Sequence, residues 1–133
     1  MKVLGIDPGT AACGYGIVQR SDGRLRAVAH GWWQTRAGDA PEARLRTIFY
    51  GVAGLLREHA PDAVALEESY VGADAARVKQ AVCGYGRADK AQVGRMVRAI
   101  LALDSVPAPN HAADALAVAI CHALAPPLLR IAG

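Results

Sequence analysis

The stretch Lys2-Val-Leu-Gly-Ile-Asp7-Pro8-Gly9 decides the fold of this chain. A short apolar run that stops at a carboxylate and then at Pro-Gly is typical of a β-strand followed by a tight turn. A second strand is predicted over 14–19, and Asp22-Gly23, a dipeptide favoured in two-residue hairpins, joins it to a third strand at about 25–35. A later run, Ala63–Glu67, resembles the first strand because it also ends in an acid. The first three strands are expected to form an antiparallel meander.

Helical spacing begins after the meander. Asp39 is a candidate N-cap, with Glu42 three residues further on, and Ala60-Pro61 is expected to end this first helix. Two more helices are predicted, one after Gly84-Tyr85-Gly86 and one from about Asn110 to Leu124. The apolar residues at helical spacing are Leu45, Ile48, Val52 and Leu55 in the first helix, and Val93, Met96, Val97, Ile100 and Leu101 in the second. This order of strands and helices predicts an α/β fold.

The composition predicts one domain with its own core. The chain has 133 residues, of which 53% are hydrophobic and 20% charged, so it can bury a core and is not a disordered tail. Its longest apolar runs fall well short of the ~18 residues that span a bilayer, and no signal-peptide pattern precedes the first strand. We therefore expect a soluble, cytoplasmic protein. Cys13, Cys83 and Cys121 lack the spacing of a metal or redox motif and are expected to be small buried residues.

Positive charge is concentrated in one part of the chain. The 15 Lys and Arg residues exceed the 12 Asp and Glu residues by three. The basic residues between positions 77 and 98 are Arg77, Lys79, Arg87, Lys90, Arg95 and Arg98, and the only acid there is Asp89. This basic stretch therefore carries +5 and the remainder of the chain −2. Such a stretch presents either a phosphate-binding face or a solvated helix surface.

Four residues with ligand side chains stand at the ends of these elements. Asp7 and Glu67 end two strands. His111 and Asp114 are three residues apart in the first turn of the last helix, where they point to nearly the same side. Three carboxylates and an imidazole that converge repel one another unless a cation lies between them. Oxygen-rich sites of this kind suit Mg²⁺ or Mn²⁺, and two such ions ~4 Å apart can activate a water for phosphodiester hydrolysis.

Each of the four residues also has a purely structural interpretation. Asp7 before Pro-Gly can serve only to form the turn, and His111 can be an exposed first-turn residue. Asp114 can interact only with the helix dipole. Glu67 is followed by Glu68, and one of two adjacent acids in a strand points to the opposite face, so which acid faces the site stays open. The chemical interpretation depends on all four residues occurring together.

Four motifs, in order along the chain, carry a resemblance to a known family. They are Gly5-Ile-Asp-Pro-Gly-Thr10 with Gly14-Tyr-Gly16, Ala65-Leu-Glu-Glu-Ser-Tyr70, Val78-Lys-Gln80 with Gly84-Tyr-Gly86 and Lys90, and Asn110-His-Ala-Ala-Asp-Ala-Leu-Ala117. In these motifs the chain resembles the RuvC family of bacterial Holliday junction resolvases. The resemblance implies a single ribonuclease-H-like nuclease domain over residues 1–133, in which parallel strands extend the antiparallel meander and helices flank the mixed sheet.

The resemblance also implies a function. It implies a homodimer that cuts two opposing strands of a four-way DNA junction with Mg²⁺, or with Mn²⁺ in its place, and that acts with a branch-migration motor complex in recombination and repair. The family's catalytic and metal-binding residues correspond to Asp7, Glu67, His111 and Asp114, and two ions bridged by Asp7 are expected. His111 stands where many members have aspartate. A histidine at this position can still bind a metal ion but lacks the negative charge of aspartate. His111 can act either as a metal ligand or as a proton-transfer group.

The basic stretch corresponds to residues with which the family binds DNA. Lys79 and Lys90 bracket the turn at 84–86 and match lysines that contact DNA near the scissile phosphate. Arg77 and Arg87 are expected to bind the DNA backbone beside them. Tyr70 matches a family aromatic residue that enters the centre of the junction, although the same ring can also be a core or crevice residue.

One departure from the family is large. About thirty further residues normally separate the equivalents of Tyr70 and Lys79, and they form a helix of the dimer interface and a fifth strand. Here residues 71–78, which reach at most ~29 Å, join the two motifs. We therefore expect a segment to be missing between about 74 and 77. If the shortening is genuine, dimerisation and paired incision are the properties that it affects.

Two other functions fit parts of the sequence. The Asp7-Pro-Gly-Thr10 turn also resembles the phosphate-binding turn of actin-like ATPases, but those proteins need two lobes of this size and a second phosphate turn. A non-catalytic nucleic-acid-binding module would use only the basic stretch. Loss of junction cleavage in Asp7→Asn, with junction binding intact, separates the nuclease from such a module.

Overall fold

The computed structural model describes residues 1–9, 12–36, 38–66 and 73–125. Four strands and four helices lie within these ranges. They are β1 (Lys2–Pro8), β2 (Ala12–Ser21), β3 (Arg24–Gln34), α1 (Pro41–His59), β4 (Ala63–Leu66), α2 (Ala73–Cys83), α3 (Lys90–Ile100) and α4 (Asn110–Leu124). No helix in this part of the chain is long and apolar enough to cross a membrane.

The strands form one mixed sheet with the order β3-β2-β1-β4. β2 runs antiparallel to β1 and to β3, which confirms the predicted meander, whereas β4 runs parallel to β1. Asp22 and Gly23 both have positive φ, 53° and 76°, as a two-residue hairpin with the right-handed twist of its strands requires. The α/β class and the mixed sheet are therefore as predicted.

One face of the sheet is covered by α4, whose bounds are those predicted from the sequence. Small residues make this close packing possible. A Cβ atom at Gly5 would clash with the carbonyl oxygen of Ala115, and one at Gly14 would clash with that of His111. The backbone of α4 consequently lies directly on β1 and β2, and Leu116 and Ile120 are fully buried beneath it.

The opposite face is covered by α1. Ile48, Val52 and Leu55 pack onto the sheet there, but Leu45 is 68% exposed although it shares their helical spacing. The predicted N-cap at Asp39 is wrong, because Ala40 holds that position and makes no side-chain capping bond. The Asp39 carboxylate instead accepts a hydrogen bond from the backbone N–H of Arg36 at 3.2 Å, which closes a turn before the helix.

The helices α2 and α3 pack against α4 and against each other. The sequence prediction treated most of α2 as a connection, whereas the structure forms a helix that runs without a break through positions 74–77. α3 begins with a capping box, in which the Asp89 carboxylate accepts from Gln92 N–H and the Gln92 amide oxygen accepts from Asp89 N–H. Met96 is exposed rather than on the buried face of α3, which Val93 and Val97 occupy.

Candidate active site

Asp7 and His111 are brought together by the contact between β1 and α4. Nδ1 of His111 lies 3.4 Å from Oδ2 of Asp7, and the Asp7 side chain is only 13% exposed. Gly14 pairs with Asp7 across the two strands, and the backbone of His111 rests on it. Two residues that are 104 positions apart in sequence thus meet because a glycine allows the helix backbone to approach the sheet.

Asp114 lies one turn further along α4 and is paired with a lysine from another helix. Its Oδ2 is 3.5 Å from Nζ of Lys90, the first residue of α3. The Asp114 side chain is largely buried, whereas the Lys90 side chain is 71% exposed. Lys90 therefore places a positive charge beside the Asp114 carboxylate, with most of its own side chain in solvent.

The remaining predicted ligand, Glu67, lies outside the described residues, and so does Tyr70. The strand that precedes them is well placed: Leu66, the last residue of β4, pairs with Ile6, which directly precedes Asp7. Among the described residues, no group of three His, Cys, Asp or Glu side chains is close enough to hold a metal ion. The described part of the site is thus the Asp7–His111 pair, with Asp114 one helical turn away.

A cavity of about 300 Å³ opens beside Asp114. Its polar lining consists of Lys90, Asn110 and Asp114, and its apolar lining of Ala91, Gly94, Val106 and Ala113. The carboxylate of Asp114 therefore lies in the wall of this cavity, beside Lys90 and Asn110.

The basic stretch is carried by the two helices that pack beside α4 and by the turn between them. Arg77 is exposed and Lys79 is half-buried, both on α2, and Arg87 is exposed in the turn. Lys90 alone of the predicted DNA-binding residues is in contact with a predicted ligand in the described part of the chain. Arg77, Arg87 and Lys90 are thus exposed on the helices, and the turn between them, that pack beside α4.

Cys13 is the cysteine that packs near the site, and it is not set up for chemistry. Cys13 is buried, and burial together with the nearby negative charge of Asp7 raises the pKa of its thiol to about 11. Cys121 is also buried, whereas Cys83 is half-buried. A thiol with so high a pKa is neutral at pH 7 and is a poor nucleophile, as expected for a small core residue.

One residue at the site was not predicted from the sequence. Arg44 on α1 is half-buried, and its Nη2 donates a hydrogen bond to the carbonyl oxygen of Gly9, at 3.4 Å, in the turn that follows Asp7. A signal for it was present: Arg44, Ile48 and Leu55 share one side of a helix, and a cation among apolar residues needs a partner.

Comparison with known proteins gives one consistent result. The family model described as Crossover junction endodeoxyribonuclease RuvC matches residues 3–77 and 69–122. The protein of that name from Rubrobacter xylanophilus is 42% identical over 150 positions, which cover 91% of this chain and 84% of the relative.

Solved structures agree with the sequence relatives. The structure of Thermus thermophilus RuvC superposes with a TM-score of 0.82 at 33% identity, covering 92% of this chain and 93% of that one. The structure of the same Thermus protein in complex with a Holliday junction substrate gives a TM-score of 0.83 at 30% identity, covering 99% and 96%. The ribonuclease-H-like fold expected from the motifs is the fold of these neighbours.

Proposed function

The chain belongs to the RuvC family of crossover junction endodeoxyribonucleases. From this premise we propose that it cuts four-way DNA junctions, with Asp7, Glu67, His111 and Asp114 as its catalytic residues. The observation that carries the proposal is the 3.4 Å approach of His111 to Asp7, which joins the first and last of the four motifs. Family membership favours the nuclease over the actin-like ATPase, because the Asp7 turn then belongs to a metal site rather than to a nucleotide site.

The family is metal-dependent, and the side chains at this site fit a hard divalent cation. Carboxylate oxygens from Asp7 and Asp114 are the donors that Mg²⁺ and Mn²⁺ prefer, and an imidazole is a better donor for Mn²⁺ than for Mg²⁺. We propose that two ions would be held here, Asp7 serving both and Glu67 and Asp114 serving one each. When bound, such a pair activates a water and stabilises the leaving oxygen.

The chain's own residues supply position and charge. Asp7 and His111 face each other across the β1–α4 contact, so the imidazole is placed either to complete a ligand set or to carry a proton. Lys90 neutralises Asp114 in the free protein and is exposed enough to turn toward a phosphate. Arg77 and Lys79 lie on α2 and Arg87 lies in the turn after it, and we propose that the three hold the DNA backbone. Tyr70, outside the described residues, is proposed to stack on a base at the centre of the junction.

The proposed substrate is a four-way junction, because the Thermus relative with a TM-score of 0.83 was solved with a Holliday junction substrate. Symmetric paired cuts need two sites, so we propose a homodimer. The large apolar side chains of Leu45, Phe49 and Tyr50, all at least 65% exposed on α1, support a protein contact there. Sedimentation equilibrium tests the dimer.

We further propose that the protein acts with a branch-migration motor complex and that it is located in the cytoplasm.

We also propose that the chain lacks a family segment near 74–77. The alignment to the Rubrobacter relative is 150 positions long although it takes in 91% of 133 residues, or about 121, so about 29 positions face a gap. The two matches to the family model overlap at residues 69–77, as expected where the family has residues that this chain does not. Sequencing the gene and measuring the mass of the purified protein test the proposal. A mass near 13.9 kDa would show that the natural protein has the short connection, and a larger mass would show that it contains the family segment.

Cleavage of a synthetic four-way junction by Asp7→Asn tests the function. We expect cleavage with Mg²⁺ by the wild type, none with EDTA, and only background cleavage by Asp7→Asn, whose junction binding persists because the loss of one negative charge does not weaken contact with phosphates. Asp22→Asn is the matched control, since it removes the same charge from an exposed hairpin turn.

Two outcomes would contradict the proposal. Wild-type rates in Asp7→Asn would show that the carboxylate is not needed for cleavage. Junction binding by the wild type without cleavage in either Mg²⁺ or Mn²⁺ would instead identify a non-catalytic binding module.

A further inference from the structure

Arg44 links the outer helix α1 to the turn that carries the site. The residue is half-buried, with its Nε shielded from solvent, and its Nη2 is 3.4 Å from the carbonyl oxygen of Gly9. Gly9 is the second residue after Asp7. Arg46, two positions along the same helix, is exposed and points away. The same helix therefore offers one arginine that reaches the site and one that does not.

Gly9 in turn touches the imidazole of His111. A Cβ atom at Gly9 would lie 2.9 Å from Cε1 of His111, so the ring packs against the Gly9 backbone. The same edge of the ring carries Nδ1, which lies 3.4 Å from Oδ2 of Asp7. The imidazole thus contacts both the carboxylate of Asp7 and the backbone of Gly9, and Arg44 holds that backbone from the α1 side.

We propose that Arg44 is a positioning residue for the metal site: through the Gly9 carbonyl it holds the Asp7 turn against His111, so that both side chains are preorganised to bind the cation. The proposal rests on the proposed function in taking Asp7 and His111 as ligands. Residues that orient metal ligands from outside typically affect metal affinity or activity by about 10- to 100-fold. A residue that only packs would change the free energy of unfolding without that effect.

The experiment compares Arg44→Met, Arg44→Lys and the matched control Arg46→Met. Affinity for Mn²⁺ alone is measured by electron paramagnetic resonance, and junction binding is measured in EDTA. We expect Arg44→Met to bind Mn²⁺ about 10- to 100-fold more weakly, with junction binding equal to that of Arg46→Met. Arg44→Lys is expected to recover much of the affinity, because an ammonium also donates to a carbonyl oxygen.

A second readout needs neither metal nor DNA. The Cε1–H proton signal of His111, assigned by its loss in His111→Asn, is followed by NMR in the metal-free protein. We expect Arg44→Met to shift this signal and Arg46→Met to leave it in place. If the wild type neither binds Mn²⁺ nor cuts junctions, the proposed function fails, while this signal still decides whether Arg44 positions His111.

The proposal is overturned by either of two results. One is an Arg44→Met protein with the wild-type Mn²⁺ affinity and the wild-type His111 signal. The other is a fall in junction binding by the same factor as in cleavage, which would make Arg44 a DNA contact. Circular dichroism checks that each variant is folded, and Arg44→Gln replaces Arg44→Met in both comparisons if that variant does not fold.

Discussion

On one face of the sheet α4 lies against the strand backbones, whereas on the other face α1 lies over side chains and leaves large apolar residues in solvent. Ten of the 15 residues of α4 are buried, but only Leu55 is buried among the 19 residues of α1. The glycines Gly5 and Gly14 explain the close packing on the α4 face, since a side chain at either would clash with the helix backbone.

This difference in packing gives the two faces different roles. The α4 face holds the candidate catalytic residues in place, whereas the outer surface of α1 is available for contact with another protein. His111 and Asp114 sit on the tightly packed helix, so their positions relative to Asp7 follow from backbone contact rather than from flexible side chains. Among the described residues, α1 contributes Arg44 to the site. Its outer surface carries Phe49 and Tyr50 and has no comparable constraint within the described part of the chain.

Matched leucine truncations measure this difference in stability. Leu116→Ala on the α4 face removes a fully buried side chain and is expected to lower the free energy of unfolding by about 3 to 5 kcal/mol. Leu55→Ala, at a site 9% exposed on the α1 face, is expected to cost about 2 to 3 kcal/mol, because the thinner cover can relax into the space. Urea unfolding followed by circular dichroism measures both.

Leu45→Ala is the control for these truncations. Its side chain is 68% exposed in the single chain, so at protein concentrations low enough to keep the chain monomeric the free energy of unfolding should stay within about 0.5 kcal/mol of the wild type. Equal losses for Leu116→Ala and Leu55→Ala would show that the two faces are packed alike.

The α4 face was predictable from the sequence to an unusual degree. Strand β1 ends at Pro8, one residue beyond the expected end at Asp7. The bounds of α4 at Asn110 and Leu124 are those predicted, because a breaker-rich segment precedes the helix and its residues are almost all apolar or small. The meeting of Asp7 with His111 was expected only from residue type and family resemblance. The contact of Gly14 with the His111 backbone, which produces that meeting, is a tertiary feature with no local sequence signal.

The other face and its surroundings were predicted less well. Asp39 had the residue type and spacing of an N-cap, but a turn onto Arg36 competes for its carboxylate. The helix α2 was missed because the stretch was interpreted through the family spacing rather than through its own alanine-rich composition. Arg44 was missed although its place among apolar residues of a helix is a signal, because the Gly9 carbonyl that it contacts belongs to the backbone and has no residue-type pattern. The roles of Glu67 and Tyr70, which lie outside the described residues, stay predictions.

The same substitution should have opposite signs on the two faces. Gly14→Ala places a methyl group against the carbonyl of His111 and is expected to lower the free energy of unfolding by about 1 to 3 kcal/mol and to weaken Mn²⁺ binding as α4 is pushed outward. Gly54→Ala, on α1, meets no atom within 4 Å and should raise the free energy of unfolding by about 0.5 to 1 kcal/mol, since alanine is the better helix former.

Thermal and urea unfolding of the two glycine variants decide this point. A destabilising Gly54→Ala would mean that α1 is more closely covered than its exposure indicates. A neutral Gly14→Ala would mean that α4 can move away from the sheet without loss, which removes the basis for a site fixed by backbone contact.

The smallest expected effect concerns which face opens first in the native protein. Cys13, on the α1 face, and Cys121, on α4, are both buried, so iodoacetamide reaches either one only when the structure opens locally. We expect Cys13 to be modified up to about tenfold faster at pH 8, as followed by mass spectrometry, because α1 on its face has one buried residue whereas α4, which carries Cys121, has ten. Because burial raises the pKa of Cys13 from 9.0 to about 11, the unfolded thiol ionises first as the pH rises. The free energy of unfolding should therefore be independent of this group below pH 9 and fall between about pH 9 and 11. Equal modification rates of Cys13 and Cys121, both following global unfolding in urea, would show that the two faces open together. The difference in packing would then have no effect on local opening.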